Sequence, residues 1–165
     1  MVGDGISGGE ARARPSGGDT LVGRRAEMVV DVRGVALAVL AALVYSAARA
    51  GLNQSDFYAL VRVVAAEGLT GAEIRRILGV SSSSVTELAD RLERAGMVAR
   101  TRPQSDRRLV VLQPTARGRR AVARSLRPAL AAIATAVDEL AEEELAVVGR
   151  FLQELERRLS GISRP

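Results

Sequence analysis

Apolar residues between positions 52 and 94 recur at three- and four-residue spacing, in short blocks punctuated by glycine. Phe57, Leu60, Val61 and Val64 make one stripe. It predicts a helix capped by Ser55 that runs to about Ala66, with Gly68 as its stop. Ile74, Ile77 and Leu78 make a second stripe. It opens on Thr70-x-x-Glu73, a capping-box pattern, and closes at Gly79. Val85, Leu88, Ala89 and Leu92 make a third, which predicts a helix from Ser82 to about Arg94 with Ser81 as its cap and Gly96 as its stop. A short helix, a glycine turn and a second amphipathic helix together read as a helix-turn-helix. The period then changes. Met97 to Arg102 reads as a strand, Pro103-Gln104-Ser105-Asp106 is turn chemistry, and Leu109 to Leu112 reads as the returning strand.

The flanks are patterned differently. Glu27 to Ala50 reads as a long helix that is apolar almost all round, with Gly51 as its C-terminal cap. Such a helix has to be buried against another helix or another chain. After these two strands, Thr115 caps a helix whose stripe runs through Val122, Leu126, Ala129 or Leu130, Ile133, Val137 and Leu140, and Pro128 should kink it or locally cost it a hydrogen bond. A last helix starts near Glu142. Three glutamates stand at its N-terminal end, where the helix dipole favours them. Leu145, Val148, Leu152, Leu155 and Leu159 then repeat as a coiled-coil-like seam, the expected dimer core.

The expected fold is mostly α with a small two-stranded β wing: a winged helix-turn-helix with N- and C-terminal dimerisation helices. The expected division is a disordered tail over residues 1–23, an N-terminal dimerisation helix over 24–51, a winged DNA-binding lobe over 52–114 and C-terminal dimerisation helices over 115–165. Seven of the sixteen glycines fall in the first 23 residues, which supports the tail assignment.

Composition narrows the chemistry. The 165-residue chain is 47% hydrophobic but only 2% aromatic, which favours helices packed through small aliphatic side chains. It carries no cysteine and no histidine, so disulfides, Cys/His zinc sites, thiol sensing and histidine-based catalysis are excluded. No acidic constellation suggests a carboxylate metal site, no nucleophile–base pair suggests an enzyme, and no cofactor is expected. Arg24-Arg25 ahead of the uncharged run Gly34 to Ala48 faintly resembles a twin-arginine signal. Glu27, Asp31 and Arg33 interrupt it, and fifteen uncharged residues are too few for a membrane span, so a cytoplasmic protein without a membrane partner is expected.

All 24 basic residues are arginines, and the net charge is +5. Their clustering carries the signal. Arg100 to Arg127 holds nine arginines and one acidic residue, Asp106, directly after the helix-turn-helix. Such a layout suits a phosphate backbone.

The ordered motifs resemble the MarR (multiple-antibiotic-resistance regulator) family of transcription factors. Leu52-Asn53-Gln54-Ser55-Asp56-Phe57-Tyr58-Ala59-Leu60 resembles the family's opening "LT-x-x-Q-F-x-x-L". Leu69 to Ile74, Leu78 to Ser81 and Val85-Thr86 resemble its helix-turn-helix, and Asp90 to Val98 resembles its "D-R-L-E-x-x-G-L-V" signature. Asp106-Arg107-Arg108 resembles its wing, Thr115-Ala116-Arg117-Gly118 its "T-x-x-G", and Glu142 to Leu145 the start of its last helix. Three departures stand out. Pro114 replaces a usual leucine, Ala141 replaces a usual Ser or Thr cap, and Ser82 to Glu87 lacks the basic residue often found there.

The resemblance implies a sequence-specific regulator of double-stranded DNA that binds a pseudo-palindromic operator as a homodimer, a repressor relieved by a small-molecule effector. On the recognition helix, Ser82, Ser83, Ser84, Thr86 and Glu87 are expected to face DNA, because Val85 and Leu88 face the core. On the wing, Arg107 and Arg108 would reach a minor groove, with Arg108 favoured for insertion and Asp106 orienting an arginine side chain. Arg100 and Arg102 would contact phosphates. Arg75, Arg76 and Arg117 are backbone candidates. For an effector pocket the candidates are Tyr45, Phe57, Tyr58 and Arg62, although ordinary core packing is the better account of each aromatic. The alternative is a winged-helix interaction module whose basic wing binds an acidic partner protein.

Overall fold

The computed structural model describes residues 20–104, 106 and 108–162. The expected tail up to residue 19, the turn residue Ser105 and the wing residue Arg107 lie outside the described residues. The elements in order are α1 Leu21–Ala50, α2 Gln54–Ala65, β1 Leu69–Thr70, α3 Gly71–Leu78, α4 Ser82–Arg94, β2 Val98–Thr101, β3 Val111–Pro114, α5 Ala116–Asp138 and α6 Glu142–Ile162. The chain divides into two units, Met1–Ala38 and Val39–Pro165. The described part of the first is Thr20 and the leading turns of α1. The second holds every other element.

Helix α1 begins six residues before the expected start, so Leu21 to Gly23 belong to it rather than to the tail. The Thr20 hydroxyl accepts from Gly23 N–H at 3.0 Å and opens the helix. Of the 30 residues of α1, only Ser46 and Ala47 are buried in this chain. Among the described helices it alone is long and apolar enough to cross a membrane, with a mean hydropathy of 2.0 over its most apolar window. At its other end Gly51 takes φ +70°, the left-handed cap its sequence position predicts.

The core of the second unit gathers the stripes of α2, α3 and α4 with the strands and the start of α5. Leu60, Val63, Ile74, Leu92, Val98, Leu112 and Val122 are all buried in one cluster. Asn53, not Ser55, caps α2, since its side-chain oxygen accepts from Asp56 N–H at 2.8 Å. The capping box on α3 forms as its sequence predicts. Thr70 Oγ1 accepts from Glu73 N–H at 3.3 Å, and Glu73 Oε2 accepts from Thr70 N–H at 2.7 Å.

The sheet has three strands rather than two, in the order β1-β3-β2, with both pairings antiparallel. Strand β1 pairs Leu69 with Leu112 and Thr70 with Val111. Two residues are too few to show an alternating period, which is why the pattern misses this strand. Strand β3 starts two residues later than expected. Leu109 N–H donates to the Asp106 carbonyl at 3.2 Å, so the turn continues through positions assigned to the strand. Pro114 closes β3 opposite Val98, and the chain is pinned one residue on by Thr115 N–H donating to the Met97 carbonyl at 3.0 Å.

The same carbonyl explains Thr115-x-x-Gly118. Thr115 caps α5, and its hydroxyl accepts from Gly118 N–H at 3.0 Å while donating towards the Gly96 carbonyl at 2.7 Å. A Cβ on Gly118 would overlap the Met97 carbonyl oxygen and press on Leu60 at 3.3 Å. Glycine is required here for close approach. Helix α5 runs through Pro128, which stands inside it without ending it. Ala141 lacks a capping side chain, and Glu144 compensates by accepting from Ala141 N–H at 2.8 Å.

Candidate nucleic-acid interface

Helix α4 presents one face to the core and one to solvent. Val85, Leu88, Ala89 and Leu92 are buried, while Ser82, Ser83, Ser84, Thr86 and Glu87 are exposed together, as their spacing predicts. Three of those hydroxyls already have partners. Ser83 and Ser84 each lie 2.9 Å from the Ser81 hydroxyl, and Thr86 Oγ1 donates to the Ser82 carbonyl at 3.1 Å. A base or phosphate would have to exchange with these bonds, although each oxygen keeps a free lone pair. Arg75 and Arg76 are exposed on α3, just ahead of the left-handed Gly79 that turns the chain into α4.

The wing differs from its expected wiring at two points. Arg100 does not stand free for phosphate. Its guanidinium donates to Asp90 Oδ1 at 2.5 Å and to the Glu93 carboxylate, and its backbone N–H donates to Glu93 Oε1 at 3.2 Å. These carboxylates hold the Arg100 pKa above its ordinary value, the Asp90 hydrogen bond most of all. Arg100 therefore ties β2 to α4. Asp106 orients Arg108 through the backbone rather than through a side chain, accepting from Arg108 N–H at 2.9 Å. Arg102 and Arg108 are exposed, with no ion pair among the described residues.

The sequence pattern does not reveal one buried charge. Asp56, with a side chain 3% exposed, sits in the first turn of α2 and receives Arg91 Nε at 2.8 Å and Nη2 at 2.7 Å, with Asn53 Nδ2 at 3.0 Å. This fork joins α2 to the recognition helix. Its signal lay inside the quoted motifs, at the Asp56 and Arg91 positions, but no periodicity pairs residues 35 apart. Behind the wing, Arg119 pairs with Glu67, which takes φ +55° in the turn before β1.

The proposed effector residues do not converge. Phe57 is buried in the core at 1% exposure, Tyr58 and Arg62 lie on the surface of α2, and Tyr45 is exposed beneath the Arg49 guanidinium. The apolar seams of the long helices are open. On α6 no residue is buried, and Leu145, Leu152 and Leu159 are 42%, 55% and 52% exposed; Val148 and Leu155 are half-buried.

A paired helix-turn-helix followed by a β-hairpin and packed beneath a three-stranded sheet defines a winged helix-turn-helix protein. Comparison with known proteins gives the family. The MarR family model matches residues 50–109. The uncharacterized HTH-type transcriptional regulator YcgE of Bacillus subtilis (strain 168) is 35% identical over 102 residues, 62% of this chain and 66% of that protein. A MarR family protein from Bacillus stearothermophilus superposes with a TM-score of 0.69 at 23% identity, covering 86% of this chain and 99% of its own. Streptococcus pneumoniae FabT, solved in complex with DNA, gives a TM-score of 0.61 at 25% identity, covering 84% of this chain and 97% of its own. The chain belongs to the MarR family.

Proposed function

We propose that this protein is a cytoplasmic transcriptional regulator that binds double-stranded DNA as a homodimer. The observation that carries the reading is the joint exposure of the α4 face, Ser82 to Glu87, beside the unpaired wing arginines Arg102 and Arg108. Helix α4 enters the major groove with its N-terminal half, and the wing arginines reach a flanking minor groove. Arg75, Arg76 and Arg117 meet phosphates. Without an arginine fork on α4, bases are read by hydroxyls, and specificity leans on groove shape. The DNA-bound state of FabT supports this assignment.

The dimer rests on α1, α5 and α6, whose exposed apolar side chains include Leu37, Leu40, Leu130, Ile133, Leu152 and Leu159. A second copy covers them. Residues 24–51 and 115–165 thus serve the dimer and 52–114 the DNA. Two recognition helices then address half-sites about 34–36 Å apart. The protein represses from that operator and is released by a small-molecule effector.

Selection of bound sites from random duplexes, followed by footprinting, tests this. A pseudo-palindrome with half-sites one helical turn apart is expected. No enriched duplex, together with salt-sensitive capture of acidic proteins, would favour the interaction-module reading.

A further inference from the structure

We propose that Glu87 on the recognition helix selects cytosine in each half-site, by accepting a hydrogen bond from the N4 amino group of the base. This rests on the DNA-binding reading above and adds a base-specific contact to it. At 3.6 residues per turn, Ser83 and Glu87 stand one turn apart on the side of α4 opposite the buried stripe of Val85, Leu88, Ala89 and Leu92. Both are exposed. They are the side chains of the N-terminal half that point most directly into a groove entered by that half.

Helix α4 carries three acids, Glu87, Asp90 and Glu93. Asp90 and Glu93 are neutralised by Arg100. Glu87 has no ion pair among the described residues. Arg91, four residues on, is committed to Asp56 through Nε and Nη2. The Asp56 hydrogen bond is the main reason the Arg91 pKa lies above its ordinary value, and the Glu87 charge adds least. One carboxylate thus stands unneutralised in the middle of the face that meets a polyanion. Phosphates repel it. Against base edges it is an acceptor only, so it is stabilised opposite a donor. Cytosine offers its N4 amino group in the major groove with no acceptor on the same base edge. Adenine offers its N6 amino group beside the N7 acceptor, which repels a carboxylate, and guanine and thymine offer no donor there. The hydroxyls around Glu87 lack this selectivity. Ser83 and Ser84 are bonded to the Ser81 hydroxyl and Thr86 to the Ser82 carbonyl, and a hydroxyl serves donors and acceptors alike.

Site selection from random duplexes with the full-length wild type, Glu87→Gln and Glu87→Ala tests this, followed by titration of each protein with the winning wild-type duplex at fixed salt. Wild type should enrich cytosine at one symmetric position in each half-site. Changing that C·G pair to T·A puts the thymine O4 acceptor against the carboxylate, and should weaken wild type about tenfold per half-site. Glu87→Ala should distinguish the two duplexes less than about twofold per half-site, since it has no group to read the pair. Glu87→Gln should enrich adenine at the same position, because an amide pairs with adenine N6 and N7. Glu87 is exposed, so circular dichroism should show both variants folded as wild type. Identical selected sequences in all three proteins overturn the proposal. So does a uniform tightening of every duplex in both variants, which leaves Glu87 only a repulsive role towards phosphate. In either case a bound pseudo-palindrome leaves the regulator reading standing. A wild type that enriches no duplex sinks that reading, and the cytosine assignment with it.

Discussion

Removing Arg91 should cost more stability than removing Asp56, although the two form one ion pair. The reason is unequal exposure. The Asp56 side chain is 3% exposed and that of Arg91 is 40% exposed. Arg91→Met strips hydrogen bonds of 2.8 and 2.7 Å from a carboxylate that keeps only the Asn53 amide at 3.0 Å and has little water. Breaking a buried pair in that direction costs roughly 3–5 kcal/mol. The open side of this pair places it near the lower bound, about 3 kcal/mol. Asp56→Asn leaves a guanidinium that solvent can take back, at a cost of about 1 kcal/mol. The double variant should resemble Asp56→Asn, because no stranded carboxylate remains. Urea unfolding followed at 222 nm, at one fixed protein concentration since assembly contributes to stability, measures all three. Equal single-variant costs, or a double variant as unstable as Arg91→Met, would refute the argument that the carboxylate is the desolvated partner.

Further outcomes follow from named contacts. Gly118→Ala should lose about 1–3 kcal/mol in the same assay despite alanine's higher helix propensity, because its Cβ meets the Met97 carbonyl; unchanged stability would remove the close-approach reading. Glu73 is held below its ordinary pKa of 4.5, first by the Thr70 backbone bond and then by the Thr70 side chain. Its contribution is complete above that ordinary value and is lost as pH falls through the lower, folded one, so wild type should lose more stability than Glu73→Gln below about pH 4.5; parallel acid-unfolding curves would contradict this. Leu152→Glu/Leu159→Glu places charges on an α6 face that is about half exposed in one chain, and should convert a dimer into monomers in sedimentation. Recovery of wild type only with membranes would instead assign the long apolar α1 to a bilayer.

The helices of the lobe were legible because each carries its own start, stripe and stop. Thr70 with Glu73, Ser81 before Ser82, and the left-handed Gly79 and Gly96 are local signals, and local physics satisfies them. Longer-range facts were not. Strand β1 exists because Leu69 and Thr70 find Leu112 and Val111 more than forty residues later. Arg100 was grouped with the free wing arginines by its neighbourhood in sequence, yet one turn of α4 supplies both carboxylates that bind it. The nine-arginine stretch likewise divides in three dimensions: Arg100 is a strut, Arg102 and Arg108 stand free, Arg119 pairs with Glu67, and Arg117 and Arg124 line a cleft. Charge density pointed to a phosphate partner, whereas the role of each arginine depends on which acids the fold brings to it.

The central claim is that the wing grips DNA through Arg102 and Arg108. The direct measurement is the affinity for a selected duplex as a function of salt, for wild type and for Arg102→Ala/Arg108→Ala. If each arginine neutralises one phosphate, the slope of log affinity against log salt should fall in magnitude by about 2 in the double variant, with binding weakened at every salt concentration. A slope that stays at its wild-type value would contradict the account.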